Sequence, residues 1–276
     1  MQDEKLSGVP GTGLWGLKAR AEEHSKANGL FKDPLAAAWW PRLAPFFSDA
    51  LSRWYTPVLQ QSIAMRTDIL DTCVRSHIQQ PGAVVIEMGA GFSTRYHRIQ
   101  PQADWYELDL GEVIDLRMSL KEPLAPRHFY LSDSLFATEW MRELSNYPPE
   151  NLLFIAEGLF MYFPLERVIG LFEDLQRHFK GAQIAFDVLG QRYLKAAQAP
   201  GEEVDAPVFW GVQQISKAVE PFGLELVQDL SLPSQMQTEP KYRKGVSMLA
   251  RQILKIPLIT RGMGGTLLAR FPDHTD

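Results

Sequence analysis

Four acids recur along this chain at nearly equal intervals. Glu87, Asp109, Asp133 and Glu157 are separated by 22, 24 and 24 residues. A strand and its returning helix take about that length. Each acid lies at or just past the end of an apolar run, so the four would line one edge of one parallel sheet. Ligands bind there in open α/β sheets. The first acid opens the segment Glu87-Met88-Gly89-Ala90-Gly91-Phe92-Ser93-Thr94-Arg95. Glycine at 89 and 91 lets backbone approach a ligand that a side chain would block. Asp109, about 20 residues past the glycines, is placed for the two hydroxyls of a ribose. Asp133 and Ser134 either accept from an adenine amino group or cap the segment that follows. Glu87 and Glu157 suit a positively charged ligand group beside the turn.

A dinucleotide does not fit this set. G-x-G-x-x-G lacks its third glycine, because position 94 is threonine, and no Gly-Lys-Ser/Thr phosphate loop follows. A crowd of acids would also repel a pyrophosphate. S-adenosylmethionine carries a sulfonium, an ammonium and one carboxylate, with no phosphate, and fits better. A two-glycine turn alone is a common structural turn, so the reading rests on the conjunction with the acids.

The elements that must position these residues follow from periodicity. Short apolar runs occur at Ala83–Met88, Trp105–Leu110, His128–Leu131, Leu152–Ala156, Ile184–Leu189 and Leu224–Val227. Most are joined by segments long enough for a helix, which argues for βαβ units and a mainly parallel sheet. Gly265–Phe271 reads as a last strand, antiparallel, reached by a short hairpin-like approach through Gly262–Gly265. Residues 241–255 have helical composition, and 191–220 read as an inserted helix or lid. Residues 1–80 read as a helical N-terminal cap. There Asp33-Pro34 and Pro57 are helix starts, and Leu59, Ile63, Leu70 and Val74 share one face with Arg66 between them. Residues 81–276 read as the α/β core, and no Pro/Gly/Ser-rich linker separates it from the cap.

The chain has 276 residues, a net charge of −5, 45% hydrophobic and 22% charged residues, which is ordinary for a globular protein. An acidic chain with no long basic run is a poor nucleic-acid binder. One cysteine, Cys73, excludes an intrachain disulfide and fits a reducing compartment. Met1–Lys5 opens no signal peptide, and the apolar cluster at Leu35–Trp40 is too short to span a bilayer. A cytoplasmic protein with no membrane segment is expected.

The residues also resemble a known family. Glu87-x-Gly89-x-Gly91-x-x-Thr94-Arg95 is similar to the opening motif of the leucine carboxyl methyltransferases, including the bacterial polyketide O-methyltransferases of the tetracenomycin type. Trp105–Asp109, Val113–Arg117, Asp133 followed by Trp140, and Ala156–Phe163 continue the match. Upstream, Arg66-Thr67 with Asp71 and Lys32-Asp33-Pro34 do so too. The likeness runs in order from about residue 14 to 190. One departure is Phe92-Ser93, where the family usually has Leu-Asp before Thr-Arg; Ser93 can still cap the helix.

The resemblance implies a Rossmann-like class I methyltransferase with a seven-stranded, mainly parallel sheet and an antiparallel last strand. It implies S-adenosyl-L-methionine as cofactor, held by Gly89, Asp109, Asp133, Ser134 and Glu157, with Arg66 on the cofactor carboxylate. Arg66 also lies on an apolar stripe, where a guanidinium needs an acidic partner; Glu87 or Asp115 could be that partner instead. Arg95 and Arg98 read as structural ties to neighbouring acids.

No metal site is expected. No general base stands out among His24, His77, His97, His128, His178 and His274, which favours an acceptor already ionised: a carboxylate of a small-molecule or carrier-bound acid. Tyr162, in the loop after Glu157, either orients that acceptor or packs in the core. Trp39, Trp40, Trp54 and Trp210 either wall an aromatic pocket or are core. Hydroxyl O-methylation in natural-product tailoring and a non-catalytic adenosyl-binding module are the competing readings.

Overall fold

The computed structural model describes residues 9–123, 125–243, 248–256 and 260–273. Met1–Lys5 and His274 lie outside them. Seven strands form one sheet: β1 (Val84–Met88), β2 (Asp104–Asp109), β3 (His128–Ser132), β4 (Leu152–Ala156), β5 (Gln183–Leu189), β6 (Glu225–Asp229) and β7 (Gly264–Arg270). Their order is β3-β2-β1-β4-β5-β7-β6. The first five are parallel, and β7 runs antiparallel to both β5 and β6. Each apolar run of the sequence becomes one of these strands. The central β1 and β4 are buried at every residue, because both faces are covered.

One face of the sheet packs on α7 (Leu165–His178). Its Val168, Leu171, Phe172 and Leu175 recur at helical spacing and are all buried. The other face packs on α4 (Pro57–His77), whose Leu70 and Val74 meet Val85, Leu153 and Ile155. The direction expected for the last strand is observed, but its hairpin approach is not. Residues between β6 and β7 instead carry α9 (Leu232–Thr238) and α10 (Met248–Ile253). This connection covers a second strip of α4: Met236 and Tyr242 pack with Ile69, and the Tyr242 hydroxyl donates to Asp68 at 2.8 Å. Within 191–220, where an inserted helix is expected, lies α8 (Leu194–Glu203).

Of the N-terminal helices α1 (Val9–Ser25), α2 (Pro34–Leu43) and α3 (Asp49–Trp54), the last two start at side-chain caps, Asp33 and Ser48. Asp33 accepts the Ala36 N–H at 3.0 Å, and Thr56 accepts the Leu59 N–H at the start of α4. Asp33 is fully buried and does more than cap. Its carboxylate also accepts from the Thr94 hydroxyl at 2.6 Å and from Arg98 at 2.8 Å. One side chain therefore closes a helix and ties the N-terminal helices to the segment after β1. Asp33→Ala should cost about 2–4 kcal/mol, because besides the cap it removes a buried charged acceptor from Thr94 and from Arg98, which keeps Asp71. Thr56→Ala, which loses only a cap, should cost about 0.5–2 kcal/mol. Urea unfolding midpoints of the two variants give the comparison, with unchanged m-values expected.

Candidate functional site at the carboxyl edge of the sheet

Strand register puts Met88, Leu108, Ala156 and Phe186 in one row. The next row holds Gly89, Asp109, Glu157 and Asp187. Side chains alternate along a strand, so Glu87 and Glu107, two residues back, share the face of Asp109, Glu157 and Asp187. Five carboxylates thus crowd one face of the sheet. Asp133 falls just beyond, its N–H donating to the Asp109 carbonyl at 3.1 Å.

Guanidinium groups balance these acids. Arg95, on α5 (Arg95–Ile99), is fully buried and reaches three of them: Nε to Asp71 at 2.8 Å, Nη1 to Glu87 and Nη2 to Glu157. Arg98 joins Asp71 to Asp33. Arg117, on α6 (Gly111–Ser119), lies between Glu107 and Glu122. The ties expected of Arg95 and Arg98 to neighbouring acids are therefore present. Arg66 donates to Glu157 Oε1 at 3.2 Å and to Asp187 Oδ2 at 3.0 Å. Glu157 and Asp187 take the place of Glu87 or Asp115 as its partners, because α4 crosses the sheet above β4 and β5.

The glycine turn is held from several sides. Gly91 N–H donates to Asp109 Oδ2 at 2.6 Å, Arg117 Nη1 to the Gly91 carbonyl at 2.8 Å and Arg20 Nη2 to the Phe92 carbonyl at 2.6 Å. Gly89 and Gly91 have φ of +60° and +52°, a region that side chains disfavour. A Cβ on Gly89 would also lie 2.5 Å from Leu159 Cδ1, whereas one on Gly91 would meet nothing closer than 3.9 Å. The turn is packed below and open above. Ser93 Oγ accepts the Arg95 N–H at 3.2 Å, so the serine serves the start of α5 from one residue before the Thr94 cap position.

Depth along the strands separates the acids into two groups. Glu87, expected beside a cationic ligand group, is 2% exposed and lies beneath the turn, where Arg95 holds it. Strand parity explains this: it sits a full pleat inside the row of Asp109. Glu157 and Asp187 lie at the rim with Arg66, whose side chain is 26% exposed. Burial alone would raise the Glu157 carboxyl, but Arg66, Arg95 and Arg20 outweigh it and hold it down at about 2. Burial keeps Asp187 above its ordinary value despite Arg66 and the Gly158 N–H, which donates to it at 2.5 Å. Burial likewise raises Asp109, against the amides of Gly91 and Leu110.

Asp133 and Ser134 form a local turn: Asp133 Oδ1 accepts the Ser134 N–H and Ser134 Oγ the Phe136 N–H. Tyr162 ends a short 3-10 turn, with its hydroxyl bonded to Thr12 and close to Arg66 and Asp187. Of the tryptophans, Trp39 is core, Trp210 donates to the Phe163 carbonyl at 3.0 Å, and Trp54 donates to Glu203 of α8 at 2.5 Å. Asp187 and Glu107 escaped the sequence reading. Their signal was an acid inside an apolar run, at Ile184–Leu189 and Trp105–Leu110.

The arrangement offers one accessible guanidinium flanked by two carboxylates, of which Glu157 is held ionised, beside an open backbone turn. That is a complement to a zwitterionic, phosphate-free ligand. Residues 14–176 match the leucine carboxyl methyltransferase family. A protein of Streptomyces avermitilis, provisionally named an S-adenosyl-L-methionine-dependent methyltransferase, is 26% identical; the alignment covers 85% of this chain and 93% of that one. A Frankia alni protein with the same provisional name is 29% identical, over 60% of this chain and 64% of its own. The fold is shared with a solved Thermobifida fusca structure provisionally described as a methyltransferase. Its TM-score is 0.56 at 12% identity, covering 92% of this chain and 94% of that chain. No helix among the described residues is long and apolar enough to cross a membrane.

The depressed Glu157 carboxyl has a stability consequence. Its ionised form contributes fully above its ordinary value of about 4.3, and the contribution is lost as pH falls through about 2. Glu157→Gln should lower the thermal midpoint at neutral pH, and the gap to wild type should narrow as pH falls from about 4.3 toward 2. Thermal unfolding across that range checks it.

Proposed function

Because the chain belongs to the leucine carboxyl methyltransferase family, we propose that this S-adenosylmethionine-dependent methyltransferase transfers methyl to the carboxylate oxygen of a small-molecule or carrier-bound acid, giving a methyl ester. The observation that carries the reading is the rim of the sheet, where Arg66 stands between the carboxylate of Glu157, held ionised, and Asp187 beside the open glycine turn. A cofactor with an ammonium and a carboxylate on one carbon finds both opposite charges there. In this reading Arg66 holds the cofactor carboxylate, while Glu157 and Asp187 face the ammonium. Asp109 takes the ribose hydroxyls, Asp133 and Ser134 the adenine amino group, and the backbone at Gly89 and Gly91 lies against the ligand. Glu87 acts from beneath, by fixing Arg95.

The bound cofactor supplies an electrophilic methyl group on sulfur. The chain's part is alignment and exclusion of water. A carboxylate acceptor is ionised at neutral pH, so no side chain has to remove a proton. Tyr162, whose hydroxyl burial keeps protonated, orients the acceptor oxygen. Residues 1–80 serve as a cap and 81–276 as the core. The cap and the insert at 191–220 wall the acceptor side, joined where Arg53 and Trp54 meet Glu203.

Asp109→Ala should weaken S-adenosylmethionine binding by about tenfold or more, as expected for a lost buried hydrogen-bond acceptor. Equal calorimetric affinities for variant and wild type would remove Asp109 from the ribose. A second experiment reads the acceptor. The protein is incubated with cofactor labelled in its methyl group and a panel of carboxylic acids and phenols. A label released by mild base identifies an ester, as expected. A base-stable label would mean hydroxyl methylation, and no transfer to any acceptor would leave a binding module.

A further inference from the structure

A second polar cluster lies near the start of β3, one side chain away from the glycine turn, since Arg117 meets both Glu122 and the Gly91 carbonyl. His97 of α5, Glu122 in the loop after α6 and His128, the first residue of β3, bring ring nitrogens and a carboxylate oxygen within 4.8 Å of one another. His97 Nε2 lies 3.0 Å from Glu122 Oε1. The His128 side chain is 1% exposed. Its Nε2 is 3.2 Å from Glu107 Oε1, yet neither ring nitrogen makes a hydrogen bond. The ring is fixed by stacking on Tyr96, with centroids 4.2 Å apart and planes at 8°. A buried imidazole held flat with neither nitrogen hydrogen-bonded is costly unless something binds it.

We propose that His97, Glu122 and His128 form a binding site for a divalent transition-metal ion of the zinc class. Two imidazoles and one carboxylate are a common donor set for such ions, leaving a fourth position for water. Metal–ligand bonds of about 2.0–2.2 Å place ligand atoms closer together than in this arrangement. An inward swing of His97, the most exposed of the three, supplies the contraction. Arg117 fixes the carboxylate, donating to both Glu122 oxygens at 2.8 and 3.1 Å. Nothing in the spacing of residues 97, 122 and 128 resembles a sequence metal motif; the sheet brings them together. The ion would pin α5, and with it Arg95, to β3.

The test uses the whole, untagged chain after chelator dialysis. Titration with Co2+ should give the intense visible band of a tetrahedral centre at one ion per chain, displaced by Zn2+. His97→Gln and His128→Gln should weaken binding by at least about tenfold. Zn2+ should raise the thermal midpoint of wild type but not of His97→Gln. His97 is partly exposed, so its variant stays informative if the His128 variant fails to fold. A Co2+ spectrum of hydrated ions only, or equal affinity in His97→Gln, overturns the site.

Discussion

Carboxylates buried on one face of a sheet must be balanced, or they will not stay ionised or stay buried. Glu87, Glu107, Asp109, Glu157 and Asp187 share such a face, and the placement of the covering helices answers that constraint. Helix α4 brings Arg66, α5 brings Arg95 and Arg98, and α6 brings Arg117. Taking a charge out of water costs several kcal/mol, recovered only with good partners. Each of these arginines touches at least two acids, so the helices are located by charge as much as by apolar packing. Arg95 is the centre of the set, since it joins β1, α4 and the loop after β4.

Much of the fold is readable from local pattern because the core strands are covered on both faces. Such strands must be continuous apolar runs, and β1 and β4 are. Asp33-Pro34 and Thr56-Pro57 mark helix starts by chemistry acting within three residues. The path from β6 to β7 is readable only in part: the helical composition of 241–255 meets α10, but α9 is not anticipated. A glycine-rich approach to β7 suggests a hairpin, but the strip of α4 around Ile69 needs cover, and that need lies far away in sequence.

The rim of the sheet shows the same division. The 22-to-24-residue rhythm locates Glu87, Asp109, Asp133 and Glu157 at strand ends. It does not tell an acid facing a ligand from one facing an arginine. Glu87 has the same face as Asp109 but lies one pleat deeper, which reverses its neighbours. Asp187 breaks the rhythm and interrupts an apolar run, so it reads as noise until Arg66 arrives from α4. Pairings across such separations are set by tertiary packing, and no local period encodes them.

The contact between α3 and α8 has a different character from this buried lattice. Arg53 is mostly exposed, and Glu203 meets it and Trp54 at the surface. Surface pairs of this kind are weak and screened by salt. None of these side chains belongs to the balanced face of the sheet. Mutational drift is therefore tolerated unequally across the molecule. Change at one member of the sheet-face set forces compensation at others, whereas the α3–α8 joint can alter shape, charge or size on its own, giving lineages a place to diversify while the charged interior stays fixed.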